Sequence, residues 1–480
     1  MRTVGNCKAK REVHAMISLF NHYVPGRLIA LAVLEALVLL MAAYVGISMD
    51  LAGSGTVISN LAYTVSSQAG AFALGMIIVM SSMGLYQPDL WNDSRTVKTR
   101  LLIALIVGFA ITALMSYLMP SHYPRPFALG ATIMIVALVG SVLVRAAFHK
   151  SNDLSVLKPR VLVLGTGSRV MKLAELAKGN PNHDLVGFVS VQASKHYIPS
   201  QQLVHMAPDD SLASIVDKHA IDQIVVGVRD RRGGGFPVQQ LLECRMKGVK
   251  VVELSTFFER EYRQVLLESL NPSWMVLGNG FRQGLVGDTV KRLFDVTVSA
   301  ALLLLTLPII LAAALCIYLE SGLPVLYRQE RVGRGGRTFT LYKLRSMKLD
   351  AECGGKPHWA KANDDRTTRV GRFIRKYRID ELPQIFNVLN GEMSFVGPRP
   401  ERPFFVDQLT KQIPFYAMRH SAKPGITGWA QVRYQYGASI DDAIEKLQYD
   451  LYYVKNHSLF LDLMILISTV EVVLWGRGAR

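Results

Sequence analysis

The sequence predicts a multi-domain membrane protein: a four-helix transmembrane bundle, an α/β Rossmann-like middle domain, and an α+β C-terminal domain with a re-entrant membrane hairpin. Three observations carry that reading. Half of the 480 residues are hydrophobic, and four long apolar runs crowd the first third of the chain. A buried-strand pattern, a glycine turn and a helix start follow them. A fifth apolar run then leads into a strongly basic segment. The expected boundaries are a tail over 1–26, the bundle over 27–150, the middle domain over 151–270 and the C-terminal domain over 281–480, with its hairpin at about 293–320.

Composition narrows the partners. The net charge is +17, the isoelectric point is near 9.7 and the mean hydropathy is +0.23. Nucleic acid and the anionic cytoplasmic leaflet are the usual partners of such a balance. The apolar runs select the membrane; nucleic acid would rest on net charge alone and is not expected. Cys7, Cys244, Cys316 and Cys353 are scattered without a CxxC pair, which argues against a zinc site or a disulfide framework and suits a reducing compartment. No cleavable signal peptide is evident, because the first apolar run, starting near Leu28, is too long for a signal core.

The four runs cover 28–47, 69–86, 101–119 and 127–147. Three reach spanning length and the second, at about 18 residues, is marginal. Arg145, near the end of the fourth, is expected to snorkel to the interface. Arg2, Lys8, Lys10 and Arg11 precede the bundle, Arg95, Lys98 and Arg100 fill its second loop, and Lys150, Lys158 and Arg160 follow it. The first loop has no Lys or Arg and the third only Arg125. The positive-inside rule puts both ends of the bundle in the cytoplasm. The fifth run, 296–319, has Lys291 and Arg292 before it and Arg328, Arg331, Arg334 and Arg337 after it. Both flanks look cytoplasmic. Pro308, at the middle, removes a backbone hydrogen bond and kinks a helix, and Thr306 is placed to satisfy a freed carbonyl. The run reads as a broken helix that enters the membrane and returns, against the alternative of a fifth spanning helix.

In the middle segment, Arg160 to Val170 (RVLVLGTGSRV) reads as a parallel strand, a glycine turn and a helix start. Further strands are expected at 185–191 and 224–228. Val170 stands where a dinucleotide fingerprint has its third glycine, and the second strand ends without an acidic residue for a ribose. A structural or regulatory domain is therefore favoured over a dinucleotide enzyme. The loop 229–235 is basic and reads as solvated.

The chemistry lies further on. Residues 321–420 hold 19 Lys/Arg and 10 Asp/Glu, an excess of nine positive charges. A basic surface beside a membrane insert holds a domain against anionic lipid and collects phosphorylated substrates. The segment from Tyr327 to Met347 reads as two strands around a glycine turn. Lys343 and Arg345, two apart, are expected on one strand face; taken alone, the segment reads as a solvated edge strand. Arg375, Lys376 and Arg378 then precede Asp380 and Glu381, which open a short helix. Asp380 reads as its N-cap, kept ionised by the helix dipole; Pro383 suits the first turn and Gly391 the end. From Asp-Glu-Leu-Pro alone, a capped surface helix with solvated charges is an equal reading. Arg399, between Pro398 and Pro400, is stiffened and can grip a phosphate; from these residues alone a structural Pro-Arg-Pro turn is an equal reading. Asp450 falls among aromatic residues, and 458–475 reads as an interfacial helix because Asp462 and Glu471 interrupt it.

These residues carry a resemblance. The ordered set Gln329-Glu-Arg-Val-Gly, Tyr342-Lys-Leu-Arg-Ser-Met, Arg378-Ile-Asp-Glu-Leu-Pro-Gln, Met393-Ser-Phe-Val-Gly-Pro-Arg-Pro-Glu, Lys423-Pro-Gly-Ile-Thr-Gly-Trp and Tyr449-Asp-Leu-Tyr-Tyr resembles the bacterial sugar transferases, the monotopic polyprenyl-phosphate phosphoglycosyl transferases. It covers about 286–480. The whole layout is similar to the large members that initiate exopolysaccharide or O-antigen synthesis. The resemblance implies that a UDP-sugar donates sugar-1-phosphate to undecaprenyl phosphate with release of UMP, at the cytoplasmic face of the bacterial inner membrane. It implies Asp380 as nucleophile, Glu381 as partner carboxylate, Mg²⁺ as cofactor held by Asp380 and Asp450, and Lys343, Arg345, Arg378 and Arg399 on the substrate. Ser346 departs from the family's usual Thr. The expected partners are the UDP-sugar, undecaprenyl phosphate and the membrane, with a homo-oligomer left open. Two other classes compete. A non-catalytic scaffold of polysaccharide machinery would tolerate loss of Asp380. A membrane-anchored nucleotide-sugar dehydratase would need a complete glycine fingerprint and a Tyr-x-x-x-Lys, whereas Tyr197 is followed four residues on by Gln201.

Overall fold

The computed structural model describes residues 16–19, 22–53, 61–87, 94–118, 130–152, 158–177, 183–191, 197–204, 211–228, 236–270, 284–348, 366–434, 437 and 439–475. The basic loop 229–235 and the N-terminal basic tail lie outside them. The chain divides into two compact units. One runs to Tyr262; the other begins at Arg263 and also takes in His22. Residues 263–270, assigned by sequence to the middle domain, go with the C-terminal unit: the Trp429 indole donates to the Arg263 carbonyl at 3.1 Å and Val265 N–H to the Gln448 carbonyl at 3.0 Å.

In the first unit four apolar helices appear where the four runs predict them: Gly26–Gly53, Leu61–Ser82, Ser94–Leu118 and Gly130–Asn152. The first packs on the second and the fourth. Small buried residues, among them Ala42, Ala43, Ala69, Ala73, Ala104 and Ala137, let the backbones approach closely. Large apolar side chains such as Leu37, Met41, Leu74 and Leu143 face outward. The polar groups face inward instead. Arg145 does not snorkel; its guanidinium pairs with fully buried Glu35 at 2.6 Å, donates to the Leu85 carbonyl at 3.0 Å and lies over the Tyr86 ring. An inward carboxylate draws the cation in, because leaving Glu35 unpaired in an apolar interior costs more than extending Arg145 to water gains.

The rest of the first unit is a four-stranded parallel sheet in the order Asp184–Val189, Arg160–Leu164, Gln223–Val226, Lys250–Glu253. Leu162, Leu164, Val189, Ile224 and Val226 form its core with the helix Leu212–His219. Gly165, at the turn after the first strand, has φ +120°, a conformation that glycine alone adopts without cost. Val170 packs directly on Gly227, so the position of the absent third glycine is filled by core.

In the second unit the fifth run is one helix, Leu285–Ser321, with Pro308 inside it. Thr306 Oγ1 donates to the Leu302 carbonyl at 2.7 Å, not to that of Leu304, which is the one Pro308 frees. This helix and Gly26–Gly46 are long and apolar enough to cross a membrane. The antiparallel pair Leu326–Val332 and Thr338–Leu344 follows, as the sequence expects, then the helices Arg369–Lys376 and Gln384–Asn390. A short parallel pair, Ser394–Val396 with Gly425–Thr427, backs them. The helices Ile440–Asn456 and Leu459–Trp475 close the unit. Asp462 and Glu471 are buried. They do not mark a wet helix face: Asp462 accepts from the Tyr453 hydroxyl at 2.8 Å and pairs with Lys291 at 2.7 Å, while Leu463, Val470, Val473 and Leu474 point outward.

Candidate active site

The site is built on a break between two helices. Thr368 caps the helix Arg369–Lys376 through the Gly371 N–H, and Ile374 and Ile379 anchor the segment against Ala313, Ile317 and Leu344. Arg378 then turns the chain in the left-handed region (φ 55°) into a 3-10 turn, Ile379–Glu381. Asp380 is therefore not the N-cap of the next helix. That position belongs to Pro383, and Gly391 (φ 83°) ends the helix as expected. The last carbonyls, of Val388 and Leu389, accept from Arg292 at 2.6 Å each, a cation at a helix C-terminus. Fully buried Asn387 fixes this helix to the strand carrying Lys343. It donates to the Thr340 carbonyl at 2.7 Å and accepts from the Tyr342 N–H at 3.2 Å.

Three cations from three segments converge on Glu381. Lys343 Nζ lies 2.9 Å and Arg399 Nη2 3.1 Å from its Oε1, and Arg378 Nη1 lies 3.4 Å from its Oε2. Burial works against the Glu381 charge, but Lys343, Arg399 and Arg378 overcome it and hold the carboxyl well below its usual range. Asp380, equally buried, has the opposite fate. Burial first, and the neighbouring Glu381 charge second, push it up to about 6, against the pull of Lys343, Arg375 and Arg399. The dipole-stabilised acid expected from the sequence is thus a desolvated carboxyl of raised pKa. Among the described residues its carboxylate has charges around it but no hydrogen bond. Two adjacent carboxyls with pKa values driven apart are an arrangement that sites performing proton or group transfer favour.

Arg399 comes from a loop fixed by backbone crossing. A Cβ on Gly397 would collide with the Lys423 carbonyl, and one on Gly425 with the Gly397 backbone. The Arg399 guanidinium also reaches Gln431 Oε1 at 3.2 Å. The structure thus brings together Asp380, Glu381, Lys343, Arg378 and Arg399. It places Arg345 and Asp450 elsewhere. The strand ends at Leu344, so the two-residue period no longer applies, and buried Arg345 Nη2 donates to the carbonyls of Ser321 (2.9 Å) and Gly322 (2.7 Å) at the end of the long helix. Asp450 is buried against Arg419 at 2.7 Å. Asn387, Arg419 and Gln431 escaped the sequence reading. Asn387 alone left a signal, a polar side chain on the apolar face of a short helix.

Among the described residues no group of three or more His, Cys, Asp or Glu is arranged to hold a metal. Mg²⁺ commonly takes one or two carboxylates and completes its shell with water and substrate phosphates. Asp380 fits that pattern, because its oxygens carry no hydrogen bond among the described residues, whereas both oxygens of Glu381 are held by Lys343, Arg399 and Arg378. Asp450, engaged with Arg419, does not join them through any contact among the described residues.

The model of the family described as "Bacterial sugar transferase" matches residues 286–476. The chain is 34% identical to the UDP-N-acetylgalactosamine-undecaprenyl-phosphate N-acetylgalactosaminephosphotransferase of Aeromonas hydrophila over 81% of this chain and 90% of that protein. It is 33% identical to the UDP-glucose:undecaprenyl-phosphate glucose-1-phosphate transferase of Xanthomonas campestris pv. campestris over 72% and 73%. The enzyme of the same description from Caulobacter vibrioides is 45% identical over 40% of this chain and 72% of its own length. On the length and level of these matches, this chain belongs to the bacterial sugar transferase family.

Proposed function

We propose that the protein transfers sugar-1-phosphate from a UDP-sugar to undecaprenyl phosphate and releases UMP, by way of a phospho-sugar on Asp380. One observation carries the reading: a buried carboxyl with no hydrogen-bonded partner among the described residues, its pKa near 6, next to a carboxylate that gathers three cations. At neutral pH Asp380 is largely ionised yet poorly solvated, which suits a nucleophile. Its oxygen attacks the β-phosphorus of the donor; the bond from that phosphorus to the bridging oxygen breaks and UMP leaves. A phosphate oxygen of the lipid then attacks the same phosphorus and frees Asp380. Glu381 keeps Lys343, Arg399 and Arg378 in one place, so that their charges meet the diphosphate without further reorganisation. Bound Mg²⁺ would neutralise charge on the transferring phosphoryl group.

The membrane arrangement is proposed alongside that reaction. We take the four N-terminal helices as a transmembrane bundle with both ends in the cytoplasm, and Leu285–Ser321 as a re-entrant hairpin in the bacterial inner membrane. Both ends of that helix rest on one small unit, at Val388 through Arg292 and at Arg345 through Ser321. Val388 packs with Leu341 and Ile317 with Leu344, two points on one strand about 10 Å apart. A straight helix would separate residues 292 and 317 by about 38 Å, more than those contacts span, which supports a bend at Pro308. The exposed Leu304, Leu305 and Leu311 near that proline suit acyl chains. A hairpin keeps the site beside the lipid phosphate and on the side of the nucleotide donor.

The test is nucleotide release from a donor panel that includes UDP-glucose and UDP-N-acetylgalactosamine, since relatives are described for both sugars. Wild-type protein with Mg²⁺ and undecaprenyl phosphate is expected to release UMP, and Asp380→Asn none. Release of UDP would mark an ordinary glycosyltransferase and overturn the reaction.

A further inference from the structure

We infer that Asp450 is a positioning residue for Arg399, acting through Arg419, and not a metal ligand. The inference rests on the proposed role of Arg399 in gripping the donor diphosphate. Asp450 and Arg419 are both buried. Arg419 Nε and Nη2 lie 3.0 and 2.7 Å from Asp450 Oδ2. Nη1 donates to the Tyr416 hydroxyl at 2.9 Å, and the guanidinium lies over the Tyr416 ring. Nη2 also donates to the backbone carbonyl of Arg399 at 2.9 Å. That bond completes a pattern along the loop. The Pro398 carbonyl accepts from the Gly425 N–H at 3.0 Å, and the Pro400 carbonyl from Arg331 Nη1 at 2.9 Å. Three successive carbonyls of Pro398-Arg399-Pro400 are thus each held, and the two prolines fix φ on either side. From that fixed backbone the Arg399 side chain reaches Glu381 Oε1 and Gln431 Oε1.

Of the two charged anchors Arg419 is the more deeply buried, and Asp450 at 2.7 Å neutralises it, whereas Arg331 has the more exposed Glu401 at 3.6 Å. A buried guanidinium that loses its carboxylate turns toward water or another acceptor, and the Arg399 carbonyl loses its donor. The loop then slackens at the residue that must meet the diphosphate, where a shift of about 1 Å is enough to cost roughly a hundredfold in rate. Both contacts end on Asp450 Oδ2, and the buried Arg419 charge beside it already balances the carboxylate, which disfavours a second cation there.

The experiment is a double-mutant cycle in the full-length protein in lipid nanodiscs, read on UDP affinity by calorimetry, on kcat/KM for the donor, and on Mn²⁺ affinity by electron paramagnetic resonance. Asp450→Asn is expected to weaken UDP binding roughly tenfold, to lower kcat/KM by at least as much, and to leave Mn²⁺ affinity within about twofold. In an Arg399→Lys background the same change is expected to have almost no further effect, because the residue it positions is already gone. If Asp450→Asn does not fold, Tyr416→Phe, which removes only the Nη1 bond, takes its place in the cycle with a smaller loss and the same non-additivity. Losses that multiply independently would overturn the inference. So would a fall in Mn²⁺ affinity of tenfold or more with Asp450→Asn, which would return Asp450 to the metal. Because UDP binding needs no turnover, a wild type that binds UDP but releases no UMP would sink the transferase reading and leave the relay to be judged on affinity.

Discussion

Replacing Arg345 with alanine separates two uses of a basic residue that the sequence places side by side. Arg345 Nη2 meets three acceptors, the Ser321 carbonyl (2.9 Å), the Ser321 hydroxyl (2.7 Å) and the Gly322 carbonyl (2.7 Å). One nitrogen carries two protons, so two of these bonds form at a time. At about 1.5–3 kcal/mol for each charge-assisted bond, their loss costs about 3–6 kcal/mol. Nη1 is buried without a partner, and removing it returns about 1–3 kcal/mol. The net destabilisation centres on about 2.5 kcal/mol, and for a unit of this size that lowers Tm by roughly 5–10 °C. Thermal unfolding in nanodiscs measures it, with kcat/KM for the donor taken at 20 °C, where the variant is still folded. The expected result is a lower Tm with kcat/KM within about twofold of wild type. An unchanged Tm with a large rise in KM would refute the reasoning and put Arg345 on the substrate.

Other outcomes follow from the same geometry. Glu381→Gln leaves Lys343, Arg399 and Arg378 with a neutral partner and is expected to lower kcat/KM about a hundredfold, with a lower Tm because buried cations lose their counter-charge; a loss under threefold in steady-state kinetics would contradict the gathering role. Asp380 must be ionised to attack, so kcat/KM is expected to fall as pH drops through about 6, and a profile flat to pH 4.5 would deny its raised pKa. Burial, with Arg263 and Arg433, holds His22 down to about 2, so the folded protein binds fewer protons than the unfolded chain below the ordinary value of 6.5. Stability from His22 is therefore complete above pH 6.5 and falls by about 2 kcal/mol at pH 5, which pH-dependent unfolding of wild type and His22→Gln will show as a steeper acid loss in wild type. Among the apolar N-terminal helices, Glu35→Ala strands Arg145 and is expected to cost about 3–5 kcal/mol, with Glu35→Ala/Arg145→Leu recovering most of it; equal Tm values for the single and double variants would deny the pair its role.

The sequence is most informative where local rules decide. The glycine turn between the strands Leu326–Val332 and Thr338–Leu344, the stop at Gly391 and three of the four parallel strands of the middle domain follow from pattern and turn chemistry alone; the edge strand Lys250–Glu253 was not anticipated. The grouping of Asp380, Glu381, Lys343, Arg378 and Arg399 was readable only through the ordered motif set and the family it resembles; taken singly, Lys343 reads as a solvated edge-strand cation and Arg399 equally well as part of a structural turn. What escaped depends on distant partners. Arg145 turns inward because Glu35, on another helix, is there to meet it. Asp462 lies inward because Lys291 and Tyr453 do. Arg345 leaves the face of Lys343 because the strand stops one residue earlier and a helix end needs a donor. In each case a buried charge is satisfied across 9 to 171 positions of sequence, and neither periodicity nor composition records such pairings.

The central claim is a covalent phospho-sugar on Asp380. The most direct measurement is intact-mass and peptide mass spectrometry of the protein after incubation with Mg²⁺ and its UDP-sugar, without lipid acceptor. The account predicts an added sugar-phosphate on the peptide carrying Asp380, absent from Asp380→Asn and discharged by undecaprenyl phosphate. UMP release that requires the lipid and leaves no adduct would mean direct transfer between the two substrates, and would contradict it.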